Sequence, residues 1–360
     1  MKTIVPSHVQ VVTQPLPDST LGVDTHKDTH TYAVLTNAGV KLGVKTFSTT
    51  QVGHAAAVSW ARTLGNITAA GVECSANYGA GLTRYLQSQS IPVVEVNVVD
   101  KQARARAGKT DEYDAVSAAR LVLSGRCASP AKELTGLFFD LAVLINARDS
   151  AVKAQTQTMN VLKAVLVKSP DEYRQSVVTK SGTSLALVKK LASTRPNLGQ
   201  EYFIIRTTLK SLAARWLALR DEAMSYEATM LSLMTPVAKE LLDYEGIGVV
   251  GAGIILSHVG ADLSRFSNRD DFCKLAGVSP RPVSSGMTDR YRLDRGGDRQ
   301  LNKAMYHAAM TRARKPESAS AAYIEKRVTQ GKTKRDAVRC LKKYIARDIY
   351  TILLSVYKNL

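Results

Sequence analysis

The stretch LGVDTHKDTHTYAVLTNAGVKLGVKTFST, Leu21 to Thr49, reads as two strands, Leu21–Thr36 and Gly39–Thr49, joined by an Asn-Ala-Gly turn. On a single first strand, Asp24, His26, Asp28 and His30 share one face, with Lys27 and Asp28 as solvated strand residues. His26 and His30 are spaced i,i+4, which suits a zinc ion on a helix rather than on a strand. Working outward, VGHAAAVSWARTLG (Val52–Gly65) has a helical pattern, ITAAGVECS (Ile67–Ser75) a strand pattern and YGAGLTRYLQSQ (Tyr78–Gln89) a helical one. IPVVEVNVV (Ile91–Val99) is again strand-like, and an alanine-rich helix starts near Asp111. A β-β-α-β-α-β-α order implies an α/β layer fold, with a mainly parallel sheet and an antiparallel hairpin at one end.

The middle of the chain changes character. Phe138–Val167 is helical and largely free of Gly and Pro. A second helix carries Ile205, Leu209, Leu212, Trp216, Leu219, Ala223, Tyr226, Met230 and Leu233 at alternating steps of four and three, and ends at Pro236. That is a heptad seam, open to two readings: a core helix of one domain, or a coiled-coil arm that joins subunits. Thr179–Gly199 lies between the helices as the tip of a helical hairpin. From Val237 the chain is mainly helical, and EGIGVVGAGIIL (Glu245–Leu256) resembles a helix-hairpin-helix turn. Its glycines would either expose N–H groups to a DNA phosphate or let two helices pack closely.

Composition narrows the function classes. The 360 residues are 45% hydrophobic and 22% charged, as in an ordinary globular protein, and no apolar run is long enough to cross a bilayer. The first twenty residues lack a signal-peptide core and read as a loose tail. Cys74, Cys127, Cys273 and Cys340 are scattered without a C-x-x-C pair, which fits a reducing cytoplasm rather than a zinc or disulfide framework. The net charge is +18, and residues 281–360, with 19 Lys and Arg against 7 Asp and Glu, supply +12 of it. Such a balance points to a polyanionic partner, with nucleic acid the better fit in the absence of an amphipathic membrane segment. No P-loop occurs, and the two Trp and six Phe make no stacking ladder.

Against that background the acids stand out. Asp24 and Glu73 emerge from strands that are otherwise apolar, where a carboxylate is costly unless something compensates it. Asp111 and Asp114, spaced i,i+3, lie on one helix face just after the basic run KQARARAGK, which holds Lys101, Arg104, Arg106 and Lys109. Acids in a first turn also suit the helix dipole without any further role. Two strand acids and two helix acids can together hold hard cations such as Mg²⁺, the arrangement used in phosphodiester chemistry.

GVDTHKDTH, VECSANYG and KTDEYDA, in this order, resemble the D-E-D-D set of RuvC-like insertion-sequence transposases, the bridge-RNA-guided recombinases. GIGVVGAGIILSHVGADLSRF followed by LAGVSPRPVSSGMTDRYRLDRGGDRQLNKAM resembles that family's second conserved domain. The resemblance implies a loose tail (1–20), an RNase H-like (RuvC-like) domain (21–130), a helical coiled-coil arm (131–236) and a mainly helical C-terminal transposase domain (237–360). It makes Asp24, Glu73, Asp111 and Asp114 ligands of Mg²⁺. It makes Ser285, or its neighbour Ser284, a nucleophile that forms a covalent phosphoserine with DNA. It further implies a site composed from different subunits of a homo-oligomer, and a structured guide RNA that pairs with double-stranded donor and target DNA. The setting it implies is the bacterial cytoplasm, at the nucleoid. Arg281, Arg290, Arg292, Arg295 and Arg299 flank Ser285 and suit a scissile phosphate. Asn302 stands where the resemblance leads one to expect a basic residue. Two other classes share part of this pattern: a RuvC-type structure-selective nuclease that uses water in place of serine, and a nucleic-acid-binding protein whose acids are structural.

Overall fold

The computed structural model describes residues 16–96, 110–125, 128–131, 134–178, 184–285, 288–292 and 294–358. The chain divides into two compact units, Met1–Leu134 and Thr135–Leu360.

The first unit is a six-stranded mixed sheet in the order β3-β2-β1-β4-β5-β6. Its strands are β1 (Asp18–Thr25), β2 (Thr29–Thr36), β3 (Lys41–Ser48), β4 (Asn66–Glu73), β5 (Val93–Val96) and β6 (Ala128–Pro130). Helices α1 (Gln51–Leu64), α2 (Ala80–Ser88) and α3 (Asp111–Leu123) accompany them. Two expectations are corrected. The stretch 21–36 is not one strand but two, because the chain reverses at His26-Lys27-Asp28, where the His26 amide donates to Thr29 O (3.1 Å) and toward His30 Nδ1 (3.3 Å). That turn carries no Gly or Pro, so the sequence gives no break. The sheet is therefore mixed rather than mainly parallel: β3, β2 and β1 form an antiparallel meander, and β4 and β5 run parallel to β1. The strand also begins at Asp18, inside the segment expected to be tail. The arrangement is consistent with an RNase H-like domain.

Strands β1 and β2 are buried on both faces. Leu21, Val23, Tyr32 and Val34 meet α1 and α2 through Ala57, Val58, Ala61, Leu82 and Leu86. Ala33 and Leu35 meet Ala115, Val116 and Ala119 of α3 on the other side. Since side chains alternate along a strand, Gly22 and Asp24 lie on the α3 side.

The second unit is built on two long helices, α4 (Gly136–Lys168) and α7 (Phe203–Met234), which pack antiparallel within one chain. Arg148 on α4 bridges to Glu227 of α7 at 2.9 Å. At one end Leu162 and Leu166 join Leu209 and Ala213, with Tyr173 and Val177 of α5 (Asp171–Val177) and Val188 and Leu191 of α6 (Ser184–Ala192). At the other end Leu141, Ile145, Met230 and Met234 run into the core of the remaining helices. These are α8 (Lys239–Asp243), α9 (Val249–Val259), α10 (Arg269–Leu275), α11 (Arg299–Ala313), α12 (Ala319–Thr329) and α13 (Lys334–Val356), with a hairpin of β7 (Arg281–Ser285) and β8 (Thr288–Arg292).

The heptad seam of α7 thus finds its partner in α4 of the same chain. It does not hold its register to the end: Leu233 is 37% exposed, while Met234 is fully buried. A straight helix of 3.6 residues per turn drifts about 20° per heptad against a 3.5 repeat, and four heptads are enough to change which residue faces inward. The Gly-rich turn serves packing at one position. Gly246 has φ +87°, and a Cβ there would sit 2.9 Å from Ala308 O of α11.

Candidate active site

The site begins with two glycines. Gly22 of β1 and Gly71 of β4 lie side by side in the parallel ladder. A Cβ on Gly22 would fall 2.1 Å from Ala115 O and 2.5 Å from Ala119 N; one on Gly71 would fall 2.8 Å from Ala118 O. The bare floor they make lets α3 rest its backbone on the sheet, and the alanines of α3 are the matching small residues. This accounts for the alanine-rich composition of the helix. It also brings the first turn of α3 to the ends of β1 and β4, where Asp24 and Glu73 emerge.

Local bonds fix the parts. Thr110 caps α3, its Oγ1 accepting from the Tyr113 amide at 3.2 Å. Thr25 Oγ1 donates to Glu73 O at 2.9 Å, tying the end of β1 to the end of β4. Lys41 Nζ meets Glu112 Oε1 at 2.7 Å, so the remaining first-turn acid is turned outward to β3.

Asp24 and Asp114 are each 6% exposed, whereas Asp111 is exposed and Glu73 half-buried. Asp24 Oδ2 is buried and accepts no hydrogen bond among the described residues. Burial, the largest effect, pushes its carboxyl up to about 6; His26 pulls it down next, and repulsion from Glu73, Asp114 and Asp111 adds smaller upward pushes. The other three predicted acids therefore all act on Asp24 within the same corner. His26 joins them from the β1–β2 turn: Nδ1 lies 3.6 Å from Asp24 Oδ2, and Nε2 lies 3.9 Å from Asp111 Oδ1. Ligand atoms of Asp24, His26 and Asp111 all lie within 4.8 Å of one another. A buried carboxylate oxygen with no donor, ringed by further carboxylates, fits a divalent cation.

Sequence reasoning named the four acids but did not set His26 beside them, reading it as a strand residue on one face with His30. The turn sends the two apart. His30 packs into the α1 side, stacked on His54 at 5.6 Å between ring centroids, and burial, then His54, lowers it to about 4. It is a neutral core residue, so no zinc pair forms. His26→Ala is expected to weaken divalent-cation binding by about tenfold, the usual effect of removing a supporting group from a metal site. The measure is the cation concentration that half-saturates the rise in melting temperature; an unchanged value would make His26 an ordinary turn residue.

In the second unit, Ser285 pairs with Thr288 at the closed end of the β7–β8 hairpin, and Ser284 pairs with Asp289. Arg281 and Arg292 face each other at the opposite end, four residues or roughly 13 Å of extended strand away. Arg281 Nε is held by Asp294 at 3.0 Å. Arg292, Arg295 and Arg299 are exposed. The side chains of Ser284, Ser285 and Arg290 lie outside the described residues, as do Lys101, Arg104, Arg106 and Lys109. Asn302 donates from Nδ2 to Ala276 O (3.0 Å) and Gly277 O (2.9 Å), and its Oδ1 accepts from Lys342 Nζ at 2.8 Å. The expected positive charge is thus delivered beside Asn302 by α13.

Comparison with known proteins agrees with this layout. No curated protein matches the chain. A family model of the DEDD type for IS110 elements, described as Transposase, matches residues 21–169, a span that opens on β1 and includes all four acids. A second, described as Transposase IS116/IS110/IS902 family, matches residues 238–325, from α8 through most of α12 and including the β7–β8 hairpin. Two models of one family, in order on one chain and together covering about two thirds of it, agree with a sheet that gathers the D-E-D-D acids into one corner: the chain belongs to the IS110 family of transposases.

Proposed function

We propose that this transposase is an RNA-guided DNA recombinase. In this reading it breaks and rejoins strands through an ester on Ser285, with Asp24, Glu73, Asp111 and Asp114 holding Mg²⁺. The observation that carries the metal-dependent part is the acid corner itself, with its buried and unbonded Asp24 oxygen. Once bound, the ion supplies charge neutralisation to the phosphodiester and to the oxygen that leaves it.

The serine step follows from strand exchange as a chemical task. Ser285 Oγ attacks phosphorus; the Oγ–P bond forms as the bond from phosphorus to a deoxyribose oxygen breaks, and the serine proton leaves on the sugar hydroxyl. Attack on the ester by the hydroxyl of another strand reverses these bonds and releases the serine. Bond energy is conserved throughout, which suits a chain with no P-loop. Arg281, Arg290, Arg292, Arg295 and Arg299 supply phosphate contacts in this scheme. The guide RNA, the homo-oligomer with a shared site, and action at the bacterial nucleoid rest on the family resemblance. The +18 charge supports a nucleic-acid partner in general.

Ser285→Ala is expected to retain folding and DNA binding while losing both cleavage and rejoining. Wild-type protein held on a nicked junction should migrate as a protein–DNA adduct on a denaturing gel, with the DNA mapped by peptide analysis to Ser285. An adduct on Ser284 would move the assignment by one residue. Full cleavage by a double Ser284→Ala, Ser285→Ala variant would overturn the ester and leave a RuvC-type nuclease.

A further inference from the structure

The second unit contains a cavity of about 600 Å³ that the acid site does not use. It is walled by the turn after α10, by β8, by the end of α12 and by one face of α13. Its volume falls in the range of small-molecule sites, enough for a nucleotide. Two features of its lining are chemically distinct.

The first is charge. Lys343 and Arg347 are shared with Asp270, at 3.6 and 2.9 Å, and Arg339 is held by Asp336 at 2.8 Å. Arg292, Arg327, Lys332 and Lys342 also line the cavity, and among the described residues none of these four has a carboxylate within salt-bridge distance. Arg327 Nε is buried without a hydrogen-bond partner. Lys342 is 5% exposed and, among the described residues, reaches the neutral Asn302 alone. Arg292 is exposed and Arg327 and Lys332 half-buried, so the cost of burial without counter-charge falls on Lys342 and the Arg327 Nε, and an anion entering the cavity would relieve it.

The second feature is aromatic. Tyr291, Tyr323 and Tyr344 line the same cavity, with Tyr323 and Tyr344 in edge contact at 5.5 Å. Tyr291 is 70% exposed and Tyr344 52%, so both present ring surface. Phosphate needs the cations only; a cavity that adds ring faces suits a phosphate carrying a flat, stackable base.

We propose that this cavity binds a single unpaired nucleotide, its base against Tyr291 and Tyr344 and its phosphate on Arg292, Arg327, Lys332 and Lys342. The proposal rests on the reading of this chain as a nucleic-acid enzyme and adds a subsite to it. A duplex presents its phosphates but keeps its bases stacked inside, so the subsite selects bulges, flipped bases and strand junctions. Because the chemistry is shared, the nucleotide can belong to DNA or to RNA.

The test uses the full chain and three labelled probes: a blunt DNA duplex, the same duplex with one bulged 5-iododeoxyuridine, and an RNA hairpin with one bulged 5-iodouridine. The bulged DNA, the RNA or both should bind about tenfold tighter than the blunt duplex, in keeping with the stacking of one base. Irradiation should join the halogenated base to Tyr291, Tyr323 or Tyr344. Tyr344→Ala should remove the preference and leave blunt-duplex affinity unchanged, while Tyr344→Phe keeps it; Tyr291→Ala serves if the first variant misfolds. Whichever probe shows the preference identifies the source. Equal affinity for bulged and blunt probes, or cross-links elsewhere, would overturn the subsite while nucleic-acid binding stands. Failure to bind any probe would overturn both.

Discussion

Asp24→Asn is expected to abolish DNA cleavage and, at the same time, to make the metal-free protein more stable. The carboxyl of Asp24 sits 6% exposed with one oxygen unbonded, and burial above all pushes it up to about 6 from the ordinary 3.8 of an aspartate. A folded state that holds a proton more tightly than the unfolded chain is favoured below the unfolded value, and loses that advantage as pH rises through the folded one. Metal-free stability should therefore fall between about pH 4 and pH 6 and then level off, by at most about 3 kcal/mol for a shift of this size. Replacing the carboxylate with a neutral amide removes the penalty, so at pH 7 the variant should gain about 1–3 kcal/mol and lose most of that pH dependence. Mg²⁺ or Mn²⁺ should raise the melting temperature of the wild type by binding its folded form and leave the variant unmoved. Calorimetry with and without cation, beside a cleavage assay, decides the matter. A variant that is less stable, or that still cleaves, would remove Asp24 from the site.

Gly22→Ala, a change of one methyl group, is expected to cost more than about 3 kcal/mol. The new Cβ would meet Ala115 O at 2.1 Å, Ala119 N at 2.5 Å and Ala119 Cβ at 2.8 Å. Two of those are backbone atoms of α3, which no rotamer change can move. Either α3 lifts from the sheet or β1 yields, and both separate Asp111 and Asp114 from Asp24. Displacement by about 1 Å costs on the order of a hundredfold in rate when reacting groups depend on alignment. Even at temperatures where the variant stays folded, cleavage should fall by that much. Gly251→Ala in α9 is the control: its Cβ would meet only Ile247, at 3.6 Å, so it should be neutral or gain up to about 1 kcal/mol from helix propensity. Denaturant unfolding of both variants measures the contrast; near-equal stabilities would mean that α3 does not depend on the glycine floor.

Much of this protein was legible in its sequence. Periodicity gave an α/β unit followed by long helices. The cost of burying acids singled out Asp24 and Glu73, and helical spacing singled out Asp111 and Asp114. These are local signals, carried by residue type and spacing. The break between β1 and β2 was not legible, because His26-Lys27-Asp28 turns without a residue that demands a turn; it closes because Thr25 pairs with His30 once β2 lies along β1.

What only the tertiary structure decided depends on which surfaces meet. The sheet became mixed when that hairpin folded. His26 moved to the acids and His30 into the core, on opposite faces. The seam of α7 was filled by α4, a choice that heptad spacing leaves open between partners of the same chain and of another. Gly22 and Gly71, ordinary strand glycines in the sequence, became the floor of the site, since closeness of approach belongs to a pair of surfaces and not to either segment alone.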